Sequence, residues 1–237
     1  MLYRDEGVVL RTYKLGEADR IVVLCTRGRG KVRAVAKGVR KTKSKFGSRL
    51  EPTSHVALQL YQGRELDIVT QVETIDHFRA IRDDLDRLAK ASSMLEAVDQ
   101  IAQEGEANPR LFQMLVGGLR ALADRDSALV LPAFFWKLLA LEGYGPILDA
   151  CADCGSPGPL VAFDLDAGGA LCADHRRGVA LSPEALELLR RILGGQLGAA
   201  LNEPASPATH EVSHLATRSV EHHLERRLKS ATVLDRG

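Results

Sequence analysis

Along roughly the first 75 residues, apolar and polar positions alternate in short runs separated by glycine, the pattern of strands buried on one face. Candidate strands are Glu6 to Tyr13, Arg20 to Thr26, Lys31 to Lys37, His55 to Tyr61 and Leu66 to Glu73, with Gly16, Gly28, Gly30 and Gly63 in the gaps. The period of two is clearest in the fourth, where Val56, Leu58 and Leu60 face one way and Ala57, Gln59 and Tyr61 the other. The same period puts Lys31, Arg33, Val35 and Lys37 on one face of the third. Five short strands in so little chain predict a small closed barrel, and periodicity alone does not separate an OB-fold from an SH3-like barrel.

From Asp83 the period becomes helical, with Leu85, Leu88, Ala91, Leu95, Val98, Ile101 and Ala102 three or four apart. Asn108-Pro109, a cap followed by proline in the first turn, opens a second helix through Leu111, Leu115, Leu119 and Leu122. A third, near Ala128 to Glu142, is apolar on nearly all sides and therefore belongs at a domain's centre; Gly143-Tyr144-Gly145-Pro146 stops it. Ser182-Pro183 begins another, with Leu181 able to staple onto Leu186, and it ends at Gly194-Gly195. A last helix is expected from about Thr209 to Lys229. The fold class is α+β: a barrel over residues 1–78, then a helical domain over 79–237 that carries a zinc-ribbon-like insertion at 151–178.

Composition is that of a chain able to bury a real core, with 45% hydrophobic and 27% charged residues among 237. No stretch approaches the roughly 20 apolar residues of a membrane span, and acids stand near the N-terminus where a signal peptide would be apolar, so the expected compartment is the cytosol. Three of the four cysteines crowd together in Cys151-Ala152-Asp153-Cys154 and Cys172-Ala173-Asp174-His175. The spacing Cys-x2-Cys-x17-Cys-x2-His is that of a structural zinc site: each two-residue gap aims two side chains at one ion, Gly155 permits the tight turn, and the intervening residues suffice for a hairpin with strand-like Leu160 to Phe163 and a turn at Asp166 to Gly169. Cys151, Cys154, Cys172 and His175 would close a tetrahedron around one Zn²⁺, leaving no open position for catalysis. Cys25 reads as a core thiol.

His210-Glu211-Val212-Ser213-His214 fits the His-Glu-x-x-His pattern of zinc proteases. A third ligand is missing from its surroundings, because Leu215 to Val220 lacks the Gly-x-x-His extension and Glu221 and Glu225 continue the same helix. Capping and surface histidines are the expected roles.

Charge changes the picture most. The net formal charge is only +1, yet residues 21–50 hold ten Lys or Arg and no acid, leaving −9 on the rest. The candidate nucleic-acid contacts are Arg27, Arg29, Lys31, Arg33, Lys37, Arg40, Lys41, Lys43, Lys45 and Arg49, since clustered cations displace condensed counterions from a phosphate backbone whatever its sequence. Phe46 and Tyr61 suit either stacking on bases or packing.

At this point the chain resembles the RecO family of bacterial recombination mediators. The matching stretches are Gly16 to Val22 followed by Gly30-Lys31, Ala36 to Lys45, Phe135 to Leu141, Gly143 to Pro146, the cysteine knuckles and His223 to Ser230. His175 departs from the fourth cysteine of many zinc-bearing members, but either residue binds zinc. The resemblance implies an OB-type barrel, binding of single- and double-stranded DNA, annealing of complementary strands, and partnership with RecR and the single-strand-binding protein SSB in loading RecA, at the nucleoid. It also implies contact with the acidic C-terminal tail of SSB, for which Arg190, Arg191, Arg226, Arg227 and Lys229, each beside leucines, are the candidate cations. No residue set supplies a nucleophile, an open metal position or a phosphate-cradling loop, so no enzyme is expected. The competing readings are a zinc-ribbon RNA-binding or ribosome-associated protein and, more remotely, a metal-dependent hydrolase.

Overall fold

Strands β1 (Leu2–Leu15), β2 (Asp19–Thr26), β3 (Gly30–Ala36), β4 (His55–Tyr61) and β5 (Asp67–Asp76) close in the order β1-β2-β3-β5-β4 in a computed structural model that describes residues 1–44 and 46–230. All neighbours are antiparallel except β3 and β5, which run parallel through Ala34 and Val35 opposite Asp67 and Ile68. β1 serves two partners: its first half pairs with β4, its second with β2, and a register shift between Val9 and Arg11 bends it from one to the other. This is an OB-like barrel, the choice that alternation left open.

Alternation does put the expected residues inside. Val22, Leu24, Val32, Ala34, Ala36, Val56, Leu58, Leu60 and Val69 share one core, and Phe46, only 1% exposed, fills it from the β3–β4 connection. Phe46 is therefore packing and not a stacking platform, whereas Tyr61 is half exposed. Cys25 is buried, and burial pushes its thiol up to about 12, so it is inert at neutral pH.

Three helices follow: α1 (Arg79–Arg82), α2 (Leu85–Ile101) and α3 (Pro109–Asp124). Asp84 caps α2 by accepting the Arg87 amide, and Asn108 caps α3 by accepting that of Leu111, both at 3.0 Å. The first compact unit runs through Met1–Asp124. The boundary expected after residue 78 is where strand gives way to helix, but compactness continues further because α2 and α3 pack on β1 and on each other. Lys31 and Arg11 also reach the buried carboxylate of Asp99 in the last turn of α2, at 3.4 and 2.8 Å.

The second unit, residues 125–230, is built on α4 (Val130–Leu141), whose apolar surround is buried as its composition requires. A hairpin of β6 (Leu160–Asp164) and β7 (Gly169–Cys172), with the two-residue β8 (Val179–Ala180) on the other side of β6, forms a three-stranded sheet. Phe163 of β6 packs edge-on against Trp136 of α4, centroids 5.7 Å apart. Helices α5 (Pro183–Leu193), α6 (Leu197–Ala200) and α7 (Pro207–His223) complete it, with Trp136 Nε1 donating to the Val212 carbonyl at 3.4 Å. The last helix begins earlier than expected, at a capping box of Ser206 and Thr209, and ends well before Lys229. Leu228 is buried, so the chain must turn back; Glu225 adopts a positive φ of 49° and the Glu221 carboxylate accepts the Leu228 amide at 2.9 Å. No helix among the described residues is long and apolar enough to cross a membrane.

Phe46→Ala should cost about 3–5 kcal/mol, the price of emptying an aromatic site in a closed core. Urea denaturation is the measurement, and a loss below about 1 kcal/mol would contradict Phe46 as a core residue.

Candidate metal centre and nucleic-acid interface

Two knuckles bring the cysteine and histidine donors together. In the first, Gly155 with φ 72° closes a turn in which its amide donates to the Cys151 carbonyl at 2.8 Å, while the Cys151 amide donates to Ser156 O, also at 2.8 Å. In the second, β7 ends at Cys172 and a single 3-10 turn, Ala173–His175, swings His175 back. The ligand atoms of Cys151, Cys154, Cys172 and His175 all lie within 4.8 Å of one another. Cys154 Sγ is 3.9 Å from Cys172 Sγ, and Cys172 Sγ is 3.3 Å from His175 Nδ1. Tetrahedral zinc with ordinary bond lengths demands edges of about 3.8 Å between sulfurs and about 3.6 Å from sulfur to nitrogen, so the donor set fits.

The backbone prepares this set for a cation. Burial pushes the Cys151 thiol up, but the backbone groups of Cys172, Cys154 and Asp153 together outweigh that and bring it down to about 6. At Cys154 the Ser156 backbone favours the thiolate, yet hydrogen bonding with the Cys151 sulfur, burial and the Cys172 sulfur together prevail and raise it.

A clasp that motif reading missed sits behind the first knuckle. Arg177 forks onto both carboxylate oxygens of Asp153 and reaches Asp164, at the end of β6, at 3.5 Å. The hydrogen bond from Arg177, then its charge, holds the Asp153 carboxyl below the usual carboxylate range. Asp153 lies between two ligands and Asp164 on the hairpin, so Arg177 ties knuckle to strand. The signal was present in the sequence only as an arginine two residues after the last ligand.

The His-Glu-x-x-His pattern is otherwise employed. His210 and His214 are exposed on α7, and the Glu211 carboxylate accepts the amide and hydroxyl of Ser182 at 2.7 and 2.8 Å, capping α5. Among the described residues no third metal donor joins these histidines.

On the barrel the ten candidate cations divide by what holds them. Arg27 faces Glu6 at 3.6 Å, and the Arg29 guanidinium lies 3.9 Å over the Tyr3 ring. Lys31 is largely buried against Asp99, donating also to its main-chain carbonyl, and Arg33 is 3.9 Å from Glu104. The loop after β3 differs. Its course is fixed by backbone: Asp19 accepts the Gly38 amide at 2.7 Å, and the Arg40 amide donates to Ala18 O at 2.9 Å, seating the loop on the β1–β2 hairpin. Yet among the described residues Lys37, Arg40, Lys41 and Lys43 are exposed and engage no carboxylate; Arg40 reaches only the Gly16 carbonyl. Arg49 is exposed on the short 3-10 turn after the loop. Lys45 lies outside the described residues.

The cations suggested for an acidic tail also divide. Arg190 is 3.3 Å from Asp149 and donates to Leu148 O, and Arg191 is 2.6 Å from Glu203. Arg226, Arg227 and Lys229 lie on the exposed turn after α7, not on its last helical turn.

Against known families, the description "Recombination protein O N terminal" matches residues 1–78 and "Recombination protein O C terminal" matches residues 82–232.

Elemental analysis of purified protein should give about one zinc per chain, and Cys172→Ser should lower both that content and the melting temperature. Arg177→Ala should retain the fold but weaken zinc about tenfold or more in a chelator competition, as removal of outer-shell support does. Metal-free wild type, or an Arg177→Ala protein that holds zinc as tightly, would overturn the respective assignment.

Proposed function

The chain belongs to the recombination protein O family, and we propose that within DNA repair and recombination it serves as a non-catalytic mediator that anneals complementary strands and, with RecR, helps RecA onto SSB-coated single-stranded DNA. The observation that carries this reading is the carboxylate-free loop of Lys37, Arg40, Lys41 and Lys43, held on the barrel by Asp19 and Ala18. Four cations on a fixed backbone neutralise consecutive phosphates of one strand and so lower its repulsion toward a second; no base need be read. The metal in this reading is zinc and its role structural: three thiolates and an imidazole hold the two knuckles and leave no position for a substrate. The protein would act in the cytosol, at the nucleoid.

Contact with the SSB tail needs exposed cations: Arg226, Arg227 and Lys229 stand exposed on the turn after α7, whereas Arg190 and Arg191 are only partly exposed. A cleft of about 520 Å³ floored by Trp136 and Phe163 and lined by Tyr144, Ile147 and His223 opens beside Glu225, next to this turn, and suits the tail's hydrophobic end.

Neutralising Lys37, Arg40, Lys41 and Lys43 together should weaken single-stranded DNA binding alike for all sequences and flatten the slope of log affinity against log salt by about 0.7 per lost contact. Anisotropy titrations across a salt series measure both; unchanged affinity and slope would move the DNA site elsewhere. Replacing Arg226 and Arg227 with alanine should weaken a labelled SSB-tail peptide while sparing naked oligonucleotide. Equal loss of both ligands, or no loss of peptide, would sink the tail assignment.

A further inference from the structure

The first half of β3 is basic, yet it is not bare. Residues 103–106, the turn that follows α2, lie along it: the Lys31 amide donates to the Gln103 carbonyl at 2.9 Å, and Glu104 forms isolated bridges with both Gly30 and Lys31. The approach is so close that a Cβ on Gly30 would stand 2.0 Å from the Glu106 carbonyl oxygen, and Gly30 has φ +66°. Only glycine admits this contact. The turn is acidic where the strand is basic. Glu104 Oε1 lies 3.9 Å from Arg33 Nε, with the two side chains 57% and 45% exposed, and Glu106, on the same turn, is exposed.

This contact differs in kind from the neighbouring one at Asp99. That carboxylate is buried, takes Arg11 and Lys31 together, and belongs to the packing of α2 on the barrel. Glu104 makes a solvent-screened surface pair on a turn held to β3 by few backbone bonds, the kind of segment that opens without unfolding the domain. A carboxylate facing an outward arginine of a DNA-binding strand stands where a phosphate would.

We propose that residues 103–106 are an acidic cover along the edge of β3 that β5 leaves open, and that single-stranded DNA held by the loop after β3 displaces Glu104 from Arg33 and takes Arg33 as a further phosphate contact. This rests on the nucleic-acid reading above and deepens it: the cover makes the strand a conditional extension of the loop site and sets a threshold against weak, short-lived contacts. Its signature is opposite in sign to that of the basic residues, because removing protein charge here strengthens binding.

The test is the double variant Glu104→Gln, Glu106→Gln in the full chain, titrated with a labelled oligothymidylate over a salt series, beside a control lacking two exposed acids of α5, Glu184→Gln with Glu187→Gln. The double variant should bind about two- to fivefold tighter, the scale of one released surface pair. If Arg33 also meets phosphate more fully, its salt slope steepens by up to about 0.7. The control should stay near wild type. A wild-type protein that does not bind the oligonucleotide overturns the nucleic-acid reading and the cover with it. A wild type that binds, with the double variant unchanged or weaker, or with the control rising as much, overturns the cover alone.

Discussion

The alternation of β3 inside a closed barrel constrains everything the N-terminal unit does. Val32, Ala34 and Ala36 face the core, so Lys31, Arg33 and Val35 must face out, and a slip of one residue would bury two charges and expose the barrel's lining. Closure itself prevents that slip, since β3 is held on one side by seven antiparallel partners in β2 and on the other by its short parallel pairing with β5. The Thr26 hydroxyl, donating to Gly30 O at 3.0 Å, fixes where the strand begins. Where it ends, Lys37 leads the chain over the β1–β2 hairpin, and Asp19 and Ala18 secure the loop by its backbone, so that Lys37, Lys41 and Lys43 are left exposed.

That arrangement grades the basic segment instead of spreading it evenly. At the β2–β3 turn the arginines serve the barrel's end: Glu6 neutralises Arg27, and Tyr3, whose hydroxyl is bound to Asp67, provides a ring for Arg29. Midway, Lys31 is a structural cation. Its partner Asp99 is 4% exposed and is shared with Arg11, so removing Asp99 would leave the largely buried Lys31 ammonium without its carboxylate, a far larger penalty than an exposed pair carries. Beyond Ala36, among the described residues, Lys37, Arg40, Lys41 and Lys43 stand exposed and engage no carboxylate. Ten like charges in a row read as one surface in the sequence, but folding spends the earlier ones on internal contacts.

What was legible follows from how local each signal is. The His55–Tyr61 strand needed only period-two alternation, and the cluster of cysteine and histidine donors only two short gaps with a glycine. The choice between barrel types depended on the parallel pairing of β3 with β5, whose residues are remote in the chain, and no local pattern encodes it. Nor does anything near Lys31 announce Asp99, 68 residues away. The end of α7 was misplaced for a related reason. Leu224 and Leu228 keep the helical spacing, but Leu228 is buried after the chain turns back, and the carboxylate of Glu221, seven residues earlier, takes its amide. The His-Glu-x-x-His pattern shows the converse: a local motif with strong chemical meaning is overridden because Glu211 finds Ser182 on another helix.

A metal held by the two knuckles would have a narrower task than their spacing suggests. Their sheet consists of strands of five, four and two residues, too little to stand alone in water. Two supports compensate from opposite ends. Phe163 anchors the middle of β6 on Trp136, and Ile147 exchanges backbone hydrogen bonds with Gly168 and Ala170 across a gap that no side chain on Gly169 would allow. The knuckles close the far end, with Arg177 linking Asp153 to Asp164 so that hairpin and ligands move as one. The helices around Trp136 bury their own apolar surface, so an ion held by the knuckles would act on the hairpin and the loops that carry its ligands.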